Sequence, residues 1–224
     1  MENKLKLSKD EGGTAVDTTE YRSIVGSLRK LVNTRADIAF AVGLVSRFME
    51  SPTMQHMVAV RHLLRYVSGT LSFGCCYKYT GRTEIELIGY SDSDFAGDAV
   101  DRRSTSGMVF FLSESLITWA SQKQKVVALS SCEAEYIAVA TTACQGIWLS
   151  RLIGELTGAD PRKFQLFVDN KSALELCKNP VHHGRSKHID TRFHFIRECV
   201  SEERMNIDHV RTEEQVANIL TKSL

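Results

Sequence analysis

Between residues 84 and 98 the sequence reads EIELIGYSDSDFAGD, an alternating apolar segment that runs into a cluster of aspartates. Ile85, Leu87 and the Gly89-Tyr90 pair have the spacing of a half-buried strand. Asp92, Asp94 and Asp98 crowd its carboxyl end. Carboxylates this close resist joint ionisation unless a cation lies among them, and hard divalent cations take such oxygen ligands. Two more acidic stations follow: Glu133 with Glu135, and Asp169 directly after the apolar run FQLFV. This set predicts a divalent-metal site at strand ends, with phosphate chemistry as the first reading.

The two glutamates separate on physical grounds. Ser130-Ser131-Cys132-Glu133 has the Ser-x-x-Glu form of a capping box, which folds Glu133 back onto the Ser130 amide. Glu135 is left free to bind metal. At the strand end Asp92 and Asp94 both stand as ligands, because the choice depends on where the strand stops; Asp94 and Asp98 also suit a turn cap. Asp92 and Asp169 emerge side by side if their strands are parallel neighbours.

The elements that must position these residues fall into two groups. Residues 1–20 are polar and Gly-containing and read as a flexible lead-in. Residues 21–83 form a helical segment with three helices. The first carries Ile24, Leu28 and Leu31. The second takes Asp37 as N-cap and carries Ile38, Ala41, Val42 and Val45. Ser51-Pro52 interrupts it, and the third spans residues 54–67 with Val60, Leu63, Leu64 and Val67 inward. Residues 84–224 form the second unit: a strand at 85–91, a hairpin of 106–112 and 116–121, a long helix at 131–155, and a strand at 164–168. A short helix at 171–177, the loop NPVHHGRSKHID, a helix at 191–203, a strand at 205–210 and a closing helix at 213–220 complete it. That order predicts the α/β class, a mixed five-stranded sheet flanked by helices.

Charge is divided unevenly: residues 1–83 carry +5 and residues 84–224 carry −4. A basic part beside an acidic one fits a phosphate-gripping element next to a metal-binding one. Arg61 and Arg65 lie four apart on one helix face and, with Arg35 and Arg47, form a surface for a nucleic-acid backbone; an ordinary solvated face has the same spacing. No apolar run is long enough to span a bilayer, and MENKLKLSKDEGG is no signal peptide, so an intracellular protein without membrane contact is expected. The six cysteines contain no C-x-x-C pair and read as reduced thiols. His182, His183 and His188 lack cysteine partners at zinc-finger spacing. Trp119 and Trp148 read as packing residues.

The segments YSDSDFAGD, RRSTSGMVFFL, ITWASQKQ, LSSCEAEYIA, FVDNKSA, KHIDTRFHFIRE and EEQVANILTK follow one another in order. Together they resemble the ribonuclease H domain of copia-type LTR retrotransposon Pol polyproteins. The leading YRSIVGSLRKLVNTRADIAFAVGLVSRFMESP is similar to the segment that joins reverse transcriptase to that domain. The resemblance implies a ribonuclease H-like fold and cleavage of the RNA strand of RNA–DNA hybrids during reverse transcription. It implies Asp92, Glu135 and Asp169 as catalytic metal ligands for two Mg²⁺ ions, with Mn²⁺ as an alternative. The loop with Arg185, Lys187 and His188 reads as substrate-facing, and His209 reads either as an aid to proton transfer or product release or as an ordinary edge-strand histidine. The family's last motif reads Ala-Asp-Ile-Leu-Thr-Lys, whereas this chain has Asn218 in place of that aspartate, a weaker fourth ligand.

Partners implied are the hybrid and the remainder of the Pol polyprotein, reverse transcriptase included. The implied location is the cytoplasm, within virus-like particles, with nuclear presence allowed. The sequence has no adjacent Asp-Asp pair of the kind a polymerase palm uses. The alternative reading is a weak or inactive remnant that folds and binds nucleic acid. Glu135 lies between Asp92 and Asp169 in sequence, which argues against an integrase-type order.

Overall fold

The structure, a computed structural model, describes residues 7–8, 13–77, 85–178 and 187–222, with the backbone alone for 187–190 and 193. The leading helices are α1 (Thr18–Leu31), α2 (Ala39–Ser46) and α3 (Met54–Gly69). Asp17 caps α1 through its carboxylate, which accepts from the amides of Thr19 at 2.7 Å and Glu20 at 3.3 Å. Tyr21, Val25, Val45, Val60 and Leu63 build the core of this segment, and the Tyr21 hydroxyl donates to Val45 O at 2.8 Å.

Three expectations here are corrected. The described part of the lead-in is docked: Leu7 is buried in the helical core and Ala15 bridges Thr53. Asp37 does not cap α2. It is held by Arg35 at 2.7 Å and by the Tyr66 hydroxyl at 2.9 Å, because the buried Arg35 guanidinium needs a counter-charge, and a 3₁₀ turn (Ala36–Ile38) leads into α2 instead. Leu64 is exposed, since Met57, Val60 and Leu63 already fill the inward arc of α3.

The second unit comprises β1 (Leu87–Ser93), β2 (Thr105–Leu112), β3 (Ser115–Lys123), α4 (Ser131–Thr157), β4 (Phe164–Val168), α5 (Lys171–Lys178), α6 (Lys187–Ser201) and β5 (Met205–His209). The strands lie in the order β3-β2-β1-β4-β5. The β1–β2 and β2–β3 pairs are antiparallel, and β1–β4 and β4–β5 are parallel. One face packs on α4, α5 and α6 through Phe110, Phe164, Leu166, Val139 and Ile196. Gly146 of α4 sits so close to Phe164 that an added Cβ would fall 2.4 Å from its ring. The other face, with Tyr90, Val109 and Trp119, is covered by Ala217 and Leu220 and by Val32 and Ala39 of the leading segment. Trp119 Nε1 donates to Val32 O at 3.0 Å, tying the two parts together.

Several boundaries move. The first strand runs two residues further than expected, so Asp92 lies inside β1. The KHID end of the expected loop is already helical in α6, and its start, with Arg185, His182 and His183, lies outside the described residues. The closing helix is replaced by two 3₁₀ turns (Thr212–Glu214 and Val216–Leu220). Gln215 separates them because its buried side chain is used elsewhere: Nε2 donates to Ser91 O at 2.9 Å and Oε1 accepts from Ala217 N at 3.2 Å. Trp148 is exposed on α4 rather than packed.

Candidate metal centre

The parallel register brings the two aspartates together. Tyr90 pairs with Phe167, and two residues further on stand Asp92, within β1, and Asp169, directly after β4. Glu135 reaches them from the first turns of α4. One carboxylate oxygen from each of Asp92, Glu135 and Asp169 lies within 4.8 Å of the others. Asp92 and Glu135 are buried and Asp169 is half-buried, so the cluster opens outward at the end of β4.

Each buried carboxylate is held by a neighbour. Asp92 Oδ2 accepts the hydroxyl hydrogen bond of Thr221. Glu135 Oε1 accepts from the Ser93 amide at 3.1 Å, while Oε2 is buried without a protein partner. Burial, then the charges of Asp92 and Asp169, push the Glu135 carboxyl up to about 9. Asp92 is also raised, chiefly by burial; the Thr221 hydrogen bond opposes that rise and the Asp169 charge adds to it. The charge of Lys222 opposes the rise at both residues. Three converging carboxylates, with one buried oxygen unpartnered, fit a hard divalent cation.

Other acidic residues are occupied elsewhere. Glu133 completes the helix cap: Ser130 Oγ accepts from Glu133 N at 3.1 Å and Glu133 Oε2 accepts from the Leu129 amide at 2.9 Å, one residue before the amide expected. Asp94, the alternative ligand, turns to the Thr105 amide and is not among the three clustered residues. Burial raises its carboxyl to about 6. Asn218 Oδ1 accepts from Lys222 Nζ at 2.8 Å and its Nδ2 donates to Thr212 O at 3.0 Å, so its oxygen serves the lysine.

The basic residues divide likewise. Arg47 is tied to Asp98 at 2.6 Å and reaches Thr105 Oγ1 at 3.3 Å, and Arg35 is buried against Asp37. Neither shares an open face with Arg61 and Arg65, which are exposed on α3. The side chains of Lys187 and His188 lie outside the description. His209 is exposed at the end of β5, opposite Val168, the last residue of β4 before Asp169.

Three supporting residues were missed by reasoning from sequence. Thr221 sits in an apolar-flanked ILTK run with no pattern of its own. Gln215 looks like a surface helix residue. Gly107 is the antiparallel partner of Asp92, and a Cβ there would lie 2.8 Å from Ala217 O and 2.9 Å from Leu220 Cβ. Its missing side chain lets the carboxyl-terminal segment lie on the sheet and deliver Thr221.

No protein-family model matches the chain. It is 44% identical over 225 residues to the retrovirus-related Pol polyprotein from transposon TNT 1-94 of Nicotiana tabacum, covering 97% of this chain and 17% of that protein. It is 45% identical over 219 residues to the Pol polyprotein from transposon RE1 of Arabidopsis thaliana, covering 98% of this chain and 15% of that one. Among solved structures, LC11-RNase H1 from compost is similar over 60% of this chain and 91% of its own, with a TM-score of 0.45 and 16% identity. A foamy viral protease-reverse transcriptase (dRH) in complex with double-stranded DNA is similar over 91% of this chain and 33% of its own, with a TM-score of 0.52 and 11% identity.

The sheet is mixed and five-stranded with helices on its flanks, the architecture expected from the sequence. Nearly the whole chain is similar to one stretch of retrotransposon Pol polyproteins, and it spans only 17% and 15% of the two relatives named.

Proposed function

We propose that this chain is a metal-dependent nuclease that hydrolyses the RNA strand of RNA–DNA hybrids during retrotransposon reverse transcription. The observation that carries this reading is the meeting of Asp92, Glu135 and Asp169 oxygens within 4.8 Å. Similarity to retrotransposon Pol polyproteins over nearly the whole chain supports it. Asp92, Glu135 and Asp169 would hold Mg²⁺, which supplies a bound water of lowered pKa and charge stabilisation for phosphoryl transfer.

The rest of the work belongs to the chain. Thr221 orients Asp92, and the Ser93 amide orients Glu135. Gln215 and Gly107 fix the carboxyl-terminal segment that carries Thr221 and Lys222. His209, in register with Val168, would serve proton transfer or product release. Arg61 and Arg65 offer exposed charge to phosphates, which makes binding salt-dependent. Contacts to 2′-hydroxyls distinguish RNA from DNA. The partner in this reading is the remainder of the polyprotein, reverse transcriptase included.

The test compares one labelled RNA presented as a hybrid, as an RNA duplex and as a single strand, in Mg²⁺ and in EDTA. Cleavage of the hybrid alone, abolished by EDTA, is expected. Hybrid binding without cleavage would select the other reading, a folded remnant that binds nucleic acid.

A further inference from the structure

Arg47 is the cation that ends α2, and its side chain leaves the leading segment for the sheet unit. Its base is fixed: Val42 and Val45 of α2 are buried in the leading core, and the Arg47 amide donates to Leu44 O at 3.1 Å. Its guanidinium spans two acceptors. Nη1 donates to Asp98 Oδ2 at 2.6 Å and Nη2 to Thr105 Oγ1 at 3.3 Å. A guanidinium presents its donors in a rigid planar fork, so holding both acceptors sets their relative placement. Asp98 is itself secured. Its Oδ1 accepts from the Val100 and Asp101 amides at 2.9 and 3.1 Å, and its Oδ2 also accepts from Lys123 Nζ at 2.7 Å.

Thr105 passes this restraint to the metal ligands. It opens β2 and is 2% exposed. Its amide donates to Asp94 Oδ1, and its carbonyl accepts from the Asp94 amide at 3.1 Å and from the Ser93 hydroxyl at 3.3 Å. Gln124 Nε2 holds the same hydroxyl at 3.2 Å. The Ser93 amide then donates to Glu135 Oε1 at 3.1 Å. Direct hydrogen bonds therefore run from Arg47 through Thr105 and Ser93 to Glu135. Ser93 is the last residue of β1, and element ends open more readily than their centres. A brace at this end decides how firmly the Ser93 amide is aimed. We propose that Arg47 is a positioning residue for the metal centre, bracing Thr105 so that Ser93 stays on Glu135. The proposal rests on the reading of Asp92, Glu135 and Asp169 as that centre. It gives the leading segment a part in the nuclease site that needs no contact with nucleic acid.

The test follows amide hydrogen exchange of the full chain by NMR in EDTA, so it needs neither metal nor cleavage. Arg47→Met should speed exchange at Ser93 by about tenfold relative to the mid-strand amides of β1. Thr105→Val leaves the Arg47–Asp98 ion pair in place and should speed it by about threefold. Arg22→Met is the control for lost stability, because it removes a hydrogen bond to Met49 O within the leading segment alone. It should not single out Ser93. In a second arm, Mn²⁺ binding followed by EPR should weaken by at least about threefold in Arg47→Met and not in Arg22→Met. Ser93 exchange that rises only in step with the rest of β1 would make Arg47 a tie between the two parts and nothing more, overturning the proposal. An unchanged Mn²⁺ affinity in Arg47→Met would overturn it too. A wild type that binds no Mn²⁺ would contradict the metal-centre reading instead, and the exchange comparison would still decide whether Arg47 holds Ser93.

Discussion

The Thr221 hydroxyl donates to Asp92 Oδ2, joining positions 129 apart in sequence. The contact links the carboxyl-terminal segment to the buried carboxylate of β1 and gives that carboxylate a fixed oxygen direction. Groups that orient metal ligands typically contribute about 10- to 100-fold to metal affinity or activity. Thr221→Val should therefore lower hybrid cleavage by about that factor and raise the Mg²⁺ needed for half-maximal rate, while Thr221→Ser restores both. Cleavage rates across a Mg²⁺ series check this. A Val variant that cuts normally at every Mg²⁺ level would remove Thr221 from the site.

Gly107 tests the same segment from the sheet side. An added methyl would meet the Ala217 carbonyl and the Leu220 side chain, both belonging to the segment packed over β2. Gly107→Ala should destabilise the protein by about 1–3 kcal/mol. It should also slow hybrid cleavage, because Thr221 is displaced. Urea midpoints and cleavage rates report the two effects, and an unchanged midpoint would show that the segment is not pinned there.

The resemblance noted in the sequence implies an aspartate at the position of Asn218, and here the Asn218 oxygen holds Lys222. An aspartate at that position is partly neutralised by the same ammonium. Asn218→Asp alone should thus lower the half-saturating Mg²⁺ by only about threefold, the scale of an exposed ion pair. Adding Lys222→Ala should extend the gain at low Mg²⁺. Equal Mg²⁺ curves for the wild type and both variants would mean that position 218 has no bearing on the metal.

Asp98 links the leading helices to the sheet unit, accepting from Arg47 at 2.6 Å and from Lys123 at 2.7 Å. Burial opposes its charge, but hydrogen bonds from Lys123 and from the Asp101 and Val100 amides outweigh it and hold the carboxyl well below its ordinary range. A lowered folded pKa means the stabilisation is present above the unfolded value, near 4, and is lost as pH falls through the folded one. Asp98→Asn should cost about 2–4 kcal/mol at pH 7, and the difference from wild type should shrink as the pH falls below about 4. Urea unfolding across pH measures it; a penalty independent of pH would contradict the assignment.

The carboxylates were legible in the sequence because each rides on an element with a strong pattern. Phe164–Val168 is a short apolar run ending in an acidic residue, and it is the strand found. The long helix began at its capping box, which also separated Glu133 from Glu135. The choice between Asp92 and Asp94 rested on where β1 ends, and the strand passes through Asp92 before Asp94 turns to Thr105. What sequence did not show was set by contacts distant in the chain. Asp37 looked like a cap but was claimed by Arg35, and Gln215 broke an apparent helix by bonding to β1. The pairing of Thr221 with Asp92 leaves no periodic trace, since it depends on a three-dimensional approach that only Gly107 permits.

The most direct measurement is Mg²⁺-dependent cleavage of a labelled RNA–DNA hybrid by the wild-type chain beside Asp92→Asn, Glu135→Gln and Asp169→Asn, each checked for an unaltered fold. Loss of at least about 10²-fold in rate is predicted for every one of the three, as for a group that stabilises the transition state electrostatically. Wild-type rates in any correctly folded member of the set would contradict a shared metal centre.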